Sequence, residues 1–153
     1  MIPFQRFLDE HRETVYRFLV AAVGRDAADD CFQETFLAAM RAYPRLRPDS
    51  NLRAWVLTIA HRKAMDHFRV RARAAVPVET LPEVPVYDAE PGGDETWARV
   101  RELPRKQRAA VLLRYAGDLT HREIATALRC SEEAARRSAH EGLKKLRLEM
   151  AAR

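Results

Sequence analysis

THREIATALRCSEEAARRSAHEGLKKL, Thr120–Leu146, is the stretch that decides the fold. Thr120-His121-Arg122-Glu123 is a capping box: a threonine hydroxyl and a glutamate three residues on satisfy each other's amide donors at a helix start. The short helix it opens carries Ile124, Ala125 and Leu128. A turn of about three residues follows, and Ser131 caps a longer helix with Glu132 and Glu133 in its first turn, where carboxylates suit the helix dipole. A short helix, a tight turn and a longer basic helix make a helix-turn-helix. Ala125 sits where the two helices cross, and only a small side chain fits there. Ala135, Ala139, Leu143 and Leu146 form the inner edge of the second helix, which puts Arg136, Arg137, His140 and Lys144 on the outer face. Long donors placed so can enter a major groove, where arginine bonds bidentately to guanine. The competing reading is a plain pair of helices with a solvated basic face.

Upstream, Trp97, Val100 and Leu103 start a helical unit, Pro104 opens the next helix at its first position, and Ala110, Val111, Leu112 and Tyr115 supply its core until Gly117 ends it. Residues 76–98 differ from everything around them. They hold Pro77, Pro82, Pro85, Pro91, the pair Gly92-Gly93 and six acids (Glu79, Glu83, Asp88, Glu90, Asp94, Glu95), with no lysine or arginine. Proline fixes φ and lacks an amide donor, so the stretch reads as an extended linker between two domains, residues 1–75 and 99–153.

The first domain reads as a three-helix bundle. Phe4, Leu8, Val15, Phe18, Leu19 and Ala22 recur at helical spacing in residues 4–23. Asp26 is placed to cap a second helix whose stripe is Ala28, Cys31, Phe32, Thr35, Phe36, Ala39, Met40 and Tyr43. A loop over 44–50 holds Pro44, Pro48, Asp49 and Ser50. The third helix then turns Leu52, Trp55, Val56, Ile59, Ala60, Ala64 and Phe68 inward. The predicted class is all-α, with no strand signal.

Charge is unevenly spread. Residues 1–43 hold 5 basic and 7 acidic side chains, residues 44–75 hold 8 and 2, and residues 99–153 hold 14 and 7. Two basic regions, one on each side of an acidic strap, suit a polyanionic partner. The first includes Arg53, His61, Arg62, Lys63, His67, Arg69, Arg71 and Arg73, with Trp55 and Tyr43 either stacking on bases or, more simply, filling the core. The polar face of the second helix, Asp29, Asp30, Gln33 and Glu34, is either solvated or a docking surface. No histidine is paired with a nucleophile and no glycine-rich phosphate loop is present, so no enzyme is read. Cys31 and Cys130 lie far apart without metal-ligand spacing, so neither a metal site nor a disulfide framework organises the chain. With no signal peptide and no membrane span in view, the expected location is the cytoplasm.

Four segments, in order, resemble the extracytoplasmic-function group of the sigma-70 family of RNA polymerase sigma factors. Asp29-Asp30-Cys31-Phe32-Gln33-Glu34-Thr35-Phe36 resembles its D-L-V-Q-E-T-F segment. Leu52-Arg53-Ala54-Trp55-Val56-Leu57-Thr58-Ile59-Ala60 resembles L-R-A-W-L-x-x-I-A, Leu103-Pro104-Arg105-Lys106-Gln107-Arg108 resembles L-P-x-x-x-R, and Thr120–Leu146 resembles the helix-turn-helix. The resemblance implies that Asp30, Gln33 and Glu34 bind core RNA polymerase. It implies that Arg45, Asn51, Arg53, Arg62, Lys63, His67 and Arg69 contact the minus-ten element, and that Thr120, Arg122, Arg136, Arg137, His140 and Lys144 contact the minus-thirty-five element. The linker would thread the RNA exit path. The implied partners are core polymerase and promoter DNA, with an anti-sigma factor as a further candidate. No cofactor and no metal are implied.

The chain departs from the family at Arg129, where glycine is usual in the turn; a left-handed non-glycine residue costs on the order of 1–2 kcal/mol. Ser138, His140 and Glu141 also replace the usual basic or aromatic residues on the reading face. Two other readings stay open on the residues alone: a free-standing helix-turn-helix repressor, and an adaptor that sequesters a protein partner.

Overall fold

The computed structural model describes residues 1–74 and 94–151, and its described residues form helices joined by short turns and loops, with no strand among them. Helix α1 (Phe4–Val23) is followed by α2 (Arg25–Ala42), a short 3-10 turn (Tyr43–Arg45) and α3 (Leu52–Ala74). Then come α4 (Asp94–Arg101), α5 (Arg105–Val111) with a π-helical turn continuing it over Leu112–Ala116, α6 (His121–Leu128) and α7 (Glu132–Ala151). The expected linker falls on residues 76–98. Of these, 76–93 lie outside the described residues, and 94–98 are the start of α4 instead. Asp94 and Glu95, counted in the sequence as part of an acidic strap, fall within the range of that helix. The half-buried Trp97 and the buried Val100 fasten α4 to the core.

Helices α1, α2 and α3 pack on one another around an aromatic centre. Phe7 touches Phe4, Phe36, Tyr43 and Trp55, with ring centroids 5.3–6.1 Å apart. Tyr43 is buried, with its hydroxyl donating to the Ile2 carbonyl, and is a core residue; Trp55 is half-buried and packs against the same core. Phe7 itself was absent from the expected stripe of α1. Gly24 ends α1 with φ +86°, a left-handed conformation that glycine adopts at no steric cost, and α2 starts at once. Its cap is therefore Gly24, and Asp26 lies within the first turn instead of capping it. Met40, expected inside, is 51% exposed.

Helices α5, α6 and α7 make the second packed group. The capping box forms as expected: the Glu123 amide donates to Thr120 Oγ1 at 3.1 Å, and the Thr120 amide to Glu123 Oε1 at 2.9 Å. Ser131 caps α7 through the Ala134 amide at 3.0 Å. Pro104 stands just outside α5 as its N-cap. At Gly142 helices α5 and α7 approach so closely that a Cβ would lie 2.7 Å from Val111 Cγ2. The inner edge of α7 is thus Ala135, Ala139, Gly142 and Leu146, with Leu143 half-buried. Ala125 is buried at the α6–α7 crossing.

The two groups share one continuous core. This is why α3 is buried on more of its circumference than a single-sided stripe requires. Leu57, His61 and Met65 are buried as well as the expected Val56, Ala60 and Ala64.

Candidate functional site

Three sets of side chains single themselves out by exposure and charge. On α2, Asp30, Gln33 and Glu34 are all exposed at positions that share one helix face, and Leu37 continues it 49% exposed. Cys31, Thr35 and Ala39 on the other side are buried, and Thr35 spends its hydroxyl on the Cys31 carbonyl at 2.6 Å. Burial and the neighbouring Glu34 and Asp30 carboxylates push the Cys31 thiol up to about 11, which leaves it an inert core residue. Leu37 and Met40 are open apolar side chains beside this row of polar ones.

Helix α7 carries the second set. Arg136, Arg137, His140 and Lys144 are exposed, opposite the buried edge. Arg136 is steadied by Glu132, one turn earlier, at 3.2 Å. Thr120 and Arg122 are exposed at the start of α6. The turn between the helices is left-handed although an arginine stands where glycine is usual: Arg129 has φ +56° and ψ +47°. Its geometry is that of a glycine turn carried by an arginine, and the Cys130 amide closes it on the Ala125 carbonyl at 3.0 Å.

The third set lies along α3 and is not uniform. Arg45, Arg62 and Arg69 are exposed, Lys63 and His67 half-buried, and Arg69 pairs with Asp66. The start of the helix is engaged by the second group. Asn51 caps α3 by accepting from the Ala54 amide at 3.1 Å, while its amide nitrogen donates to Glu123. Arg53 donates to the Gly117 carbonyl at 2.6 Å and the Asp118 carbonyl at 3.3 Å, with the Asp118 carboxylate 3.7 Å away. His61, counted among the basic residues of this helix, is buried and 6% exposed. Burial and the cations Arg108, Arg105 and Arg62 push it down to about 4, so it is a neutral core group at ordinary pH. Nothing in the sequence of α3 alone marked it; part of the signal lies in α5, whose Arg105 and Arg108 charges act on it.

Among the described residues no group of metal-ligating side chains is assembled, and no helix is long and apolar enough to cross a membrane.

Two family models match parts of the chain. Residues 7–74 match the model of sigma-70 region 2, and residues 94–146 that of sigma-70 region 4. The chain is 28% identical over 162 residues to the ECF RNA polymerase sigma factor SigX of Bacillus subtilis, covering 96% of this chain and 83% of that one. It is 34% identical over 160 residues to the ECF RNA polymerase sigma factor SigD of Mycobacterium tuberculosis, covering 95% and 76%. Among solved structures, it superposes on RpoE of Bartonella quintana, determined with the anti-sigma factor NepR, with a TM-score of 0.80 at 20% identity over 97% of this chain and 96% of that one. It superposes on CnrH, determined with the cytosolic domain of CnrY, with a TM-score of 0.75 at 22% identity, over 97% and 88%.

Proposed function

The chain belongs to the extracytoplasmic-function group of sigma-70 RNA polymerase sigma factors, and from that premise we propose how its own residues divide the work. The protein is a promoter-specific initiation factor that acts with core RNA polymerase, and recognition of minus-ten and minus-thirty-five DNA is the general function of its two regions. The division proposed is by residue. Asp30, Gln33 and Glu34 on α2 dock core polymerase. Arg45, Asn51, Arg53, Arg62, Lys63, His67 and Arg69 contact minus-ten DNA. Thr120 and Arg122 at the start of α6 hold phosphates of the minus-thirty-five element, where a helix N-terminus favours anions. Arg136, Arg137, His140 and Lys144 on α7 face its bases and backbone. Residues 1–75 serve the first two tasks and the residues from Asp94 onward the third, with the acidic stretch between them passing along the RNA exit path.

The observation that carries this reading is the exposed basic face of α7 opposite an edge of small residues that α5 and α6 hold in place. A polar, apolar-edged face on α2 supports the docking role in the same way. Sigma factors are non-catalytic DNA-recognition subunits; this chain is read likewise as working without a catalytic centre or a cofactor of its own, in the cytoplasm with the polymerase. The free-standing repressor and the sequestering adaptor are set aside by the family. An anti-sigma factor is a proposed partner, supported by the fold shared with RpoE and CnrH.

Run-off transcription with purified core polymerase and candidate promoters tests the reading. The wild-type chain directs specific transcripts. Gln33→Ala with Glu34→Ala loses polymerase affinity while its stability changes by no more than about 0.5 kcal/mol, as surface changes do. Unaltered polymerase binding by that variant overturns the docking role.

A further inference from the structure

The exposed stripe of α7 is basic except at its tip. Glu133, the second residue of the helix, is exposed, and the exposed Arg137, His140 and Lys144 follow it at four, seven and eleven positions. That spacing puts all four on one face, with Glu133 at the end nearest the turn. Its neighbour Glu132 is spent on Arg136, one turn on, at 3.2 Å. Glu133 has no such pair. Among the described residues no hydrogen bond or ion pair from another side chain reaches its carboxylate, although Arg137 stands one turn away.

A first-turn carboxylate favours the helix dipole, and that alone accounts for Glu133 in the free chain. It does not account for Glu133 on DNA. A recognition helix brings its N-terminal residues to the base edges, so Glu133 would enter the major groove between two rows of phosphates. There a carboxylate loses water and is repelled, and only a base that donates to it offsets the cost. Guanine presents two acceptors on that edge, thymine an acceptor and a methyl group, and adenine an acceptor beside its amine. Cytosine alone presents an amine with no acceptor of its own, and carboxylates pair with it.

We propose that Glu133 is a specificity-determining residue whose carboxylate accepts a hydrogen bond from the amine of one cytosine in the minus-thirty-five element. The inference rests on the reading of α7 as the helix that faces this element. Glu133 acts mainly by rejection: opposite any other base its charge is left unpaired in the groove. Arg136, Arg137 and Lys144 supply the attraction to DNA, and Glu133 supplies a choice of base. Glu141 is exposed too, but it lies eight residues and about 12 Å further along the axis, away from the end that reaches the bases. It adds charge without adding choice.

The test uses the full chain in complex with core polymerase, which selects from a duplex DNA pool randomised through both promoter elements. DNA bound by the wild-type complex carries cytosine at one upstream position, preferred over each other base at least about fivefold, the low end for one good base contact. Glu133→Ala brings that preference close to unity and leaves the other positions as they were. Glu133→Gln moves it to adenine, with which a side-chain amide pairs through two atoms. Glu141→Ala removes the same charge and raises affinity for all sequences alike. A profile that neither Glu133 variant alters, a change spread evenly over all positions as in Glu141→Ala, or a responding position that is not cytosine in the wild-type selection overturns the proposal. The underlying reading fails differently: Arg137→Ala and Lys144→Ala would then also leave the upstream selection and its salt dependence unchanged.

Discussion

Helices α3 and α7 are of similar length, and both carry basic residues in a pattern that reads from sequence as a DNA-facing surface, yet the fold treats them differently. Helix α7 is anchored along one edge of small residues and leaves Arg136, Arg137, His140 and Lys144 in solvent. Helix α3 lies between two packed groups. Its Arg53 is spent on backbone carbonyls, its Asn51 on Glu123, and its His61 is buried and neutral. A count of charges along a helix gives the sign of the surface. Whether the surface is open depends on what packs across it, which lies elsewhere in the chain.

The sharpest way to break this contrast is to cut into the sealed side. Leu57 is fully buried where α3 meets the turn after α5, and Leu57→Ala should destabilise the chain by about 2–5 kcal/mol in urea unfolding. A loss under about 1 kcal/mol would mean the seam is not packed as described.

Acid should act on the same side. Above pH 6.5 His61 is neutral in both the folded and unfolded chain and contributes nothing. Between pH 6.5 and about 4 the unfolded chain binds a proton that the folded one refuses, so stability falls as the pH falls, by up to about 3 kcal/mol at about 1.4 kcal/mol per unit. Below about pH 4 the loss levels off. His11 and His121 are shifted down in the same direction, so His61→Gln should flatten the urea midpoint against pH without abolishing its slope. An unchanged slope would show that His61 is not sealed.

On the open side the expected effects fall on binding. Arg136→Ala or Arg137→Ala should cost the polymerase complex about 1–3 kcal/mol at one base pair of the minus-thirty-five element, if either reads a base. Lys144→Ala should weaken all sequences alike and lower the salt slope of binding by about 1. Stability should barely register these changes. Leu148, 63% exposed on α7, makes the smallest prediction: Leu148→Ala should alter the unfolding midpoint by no more than about 0.5 kcal/mol.

Much of this molecule was legible in the sequence where the signals are local. The capping box at Thr120 and the cap at Ser131 are each set by residues within a few positions, and each forms. The helical stripes gave most of the core for the same reason. What escaped was set by contacts distant in sequence. Phe7 is central because rings from α2 and α3 converge on it. Gly142 is required by the close approach of α5. Asp94 and Glu95 belonged to a helix start although they read as linker acids. The exposed residues of α2 and α7 were legible as surface. The engagement of Asn51 and Arg53 was not, because Glu123 and Asp118 lie some 65 to 72 residues away from them.

The central claim, that α6 and α7 lie on the upstream promoter element in the working complex, can be tested at one native atom. Cys130 is exposed in the turn between these helices, and the other cysteine, Cys31, is buried, so a DNA-cleaving iron chelate attaches at a single position. In a complex of the labelled chain with core polymerase on a promoter, strand cleavage should centre on the minus-thirty-five element. Cleavage near the start site, or none anywhere in a complex that still initiates transcription, would contradict it.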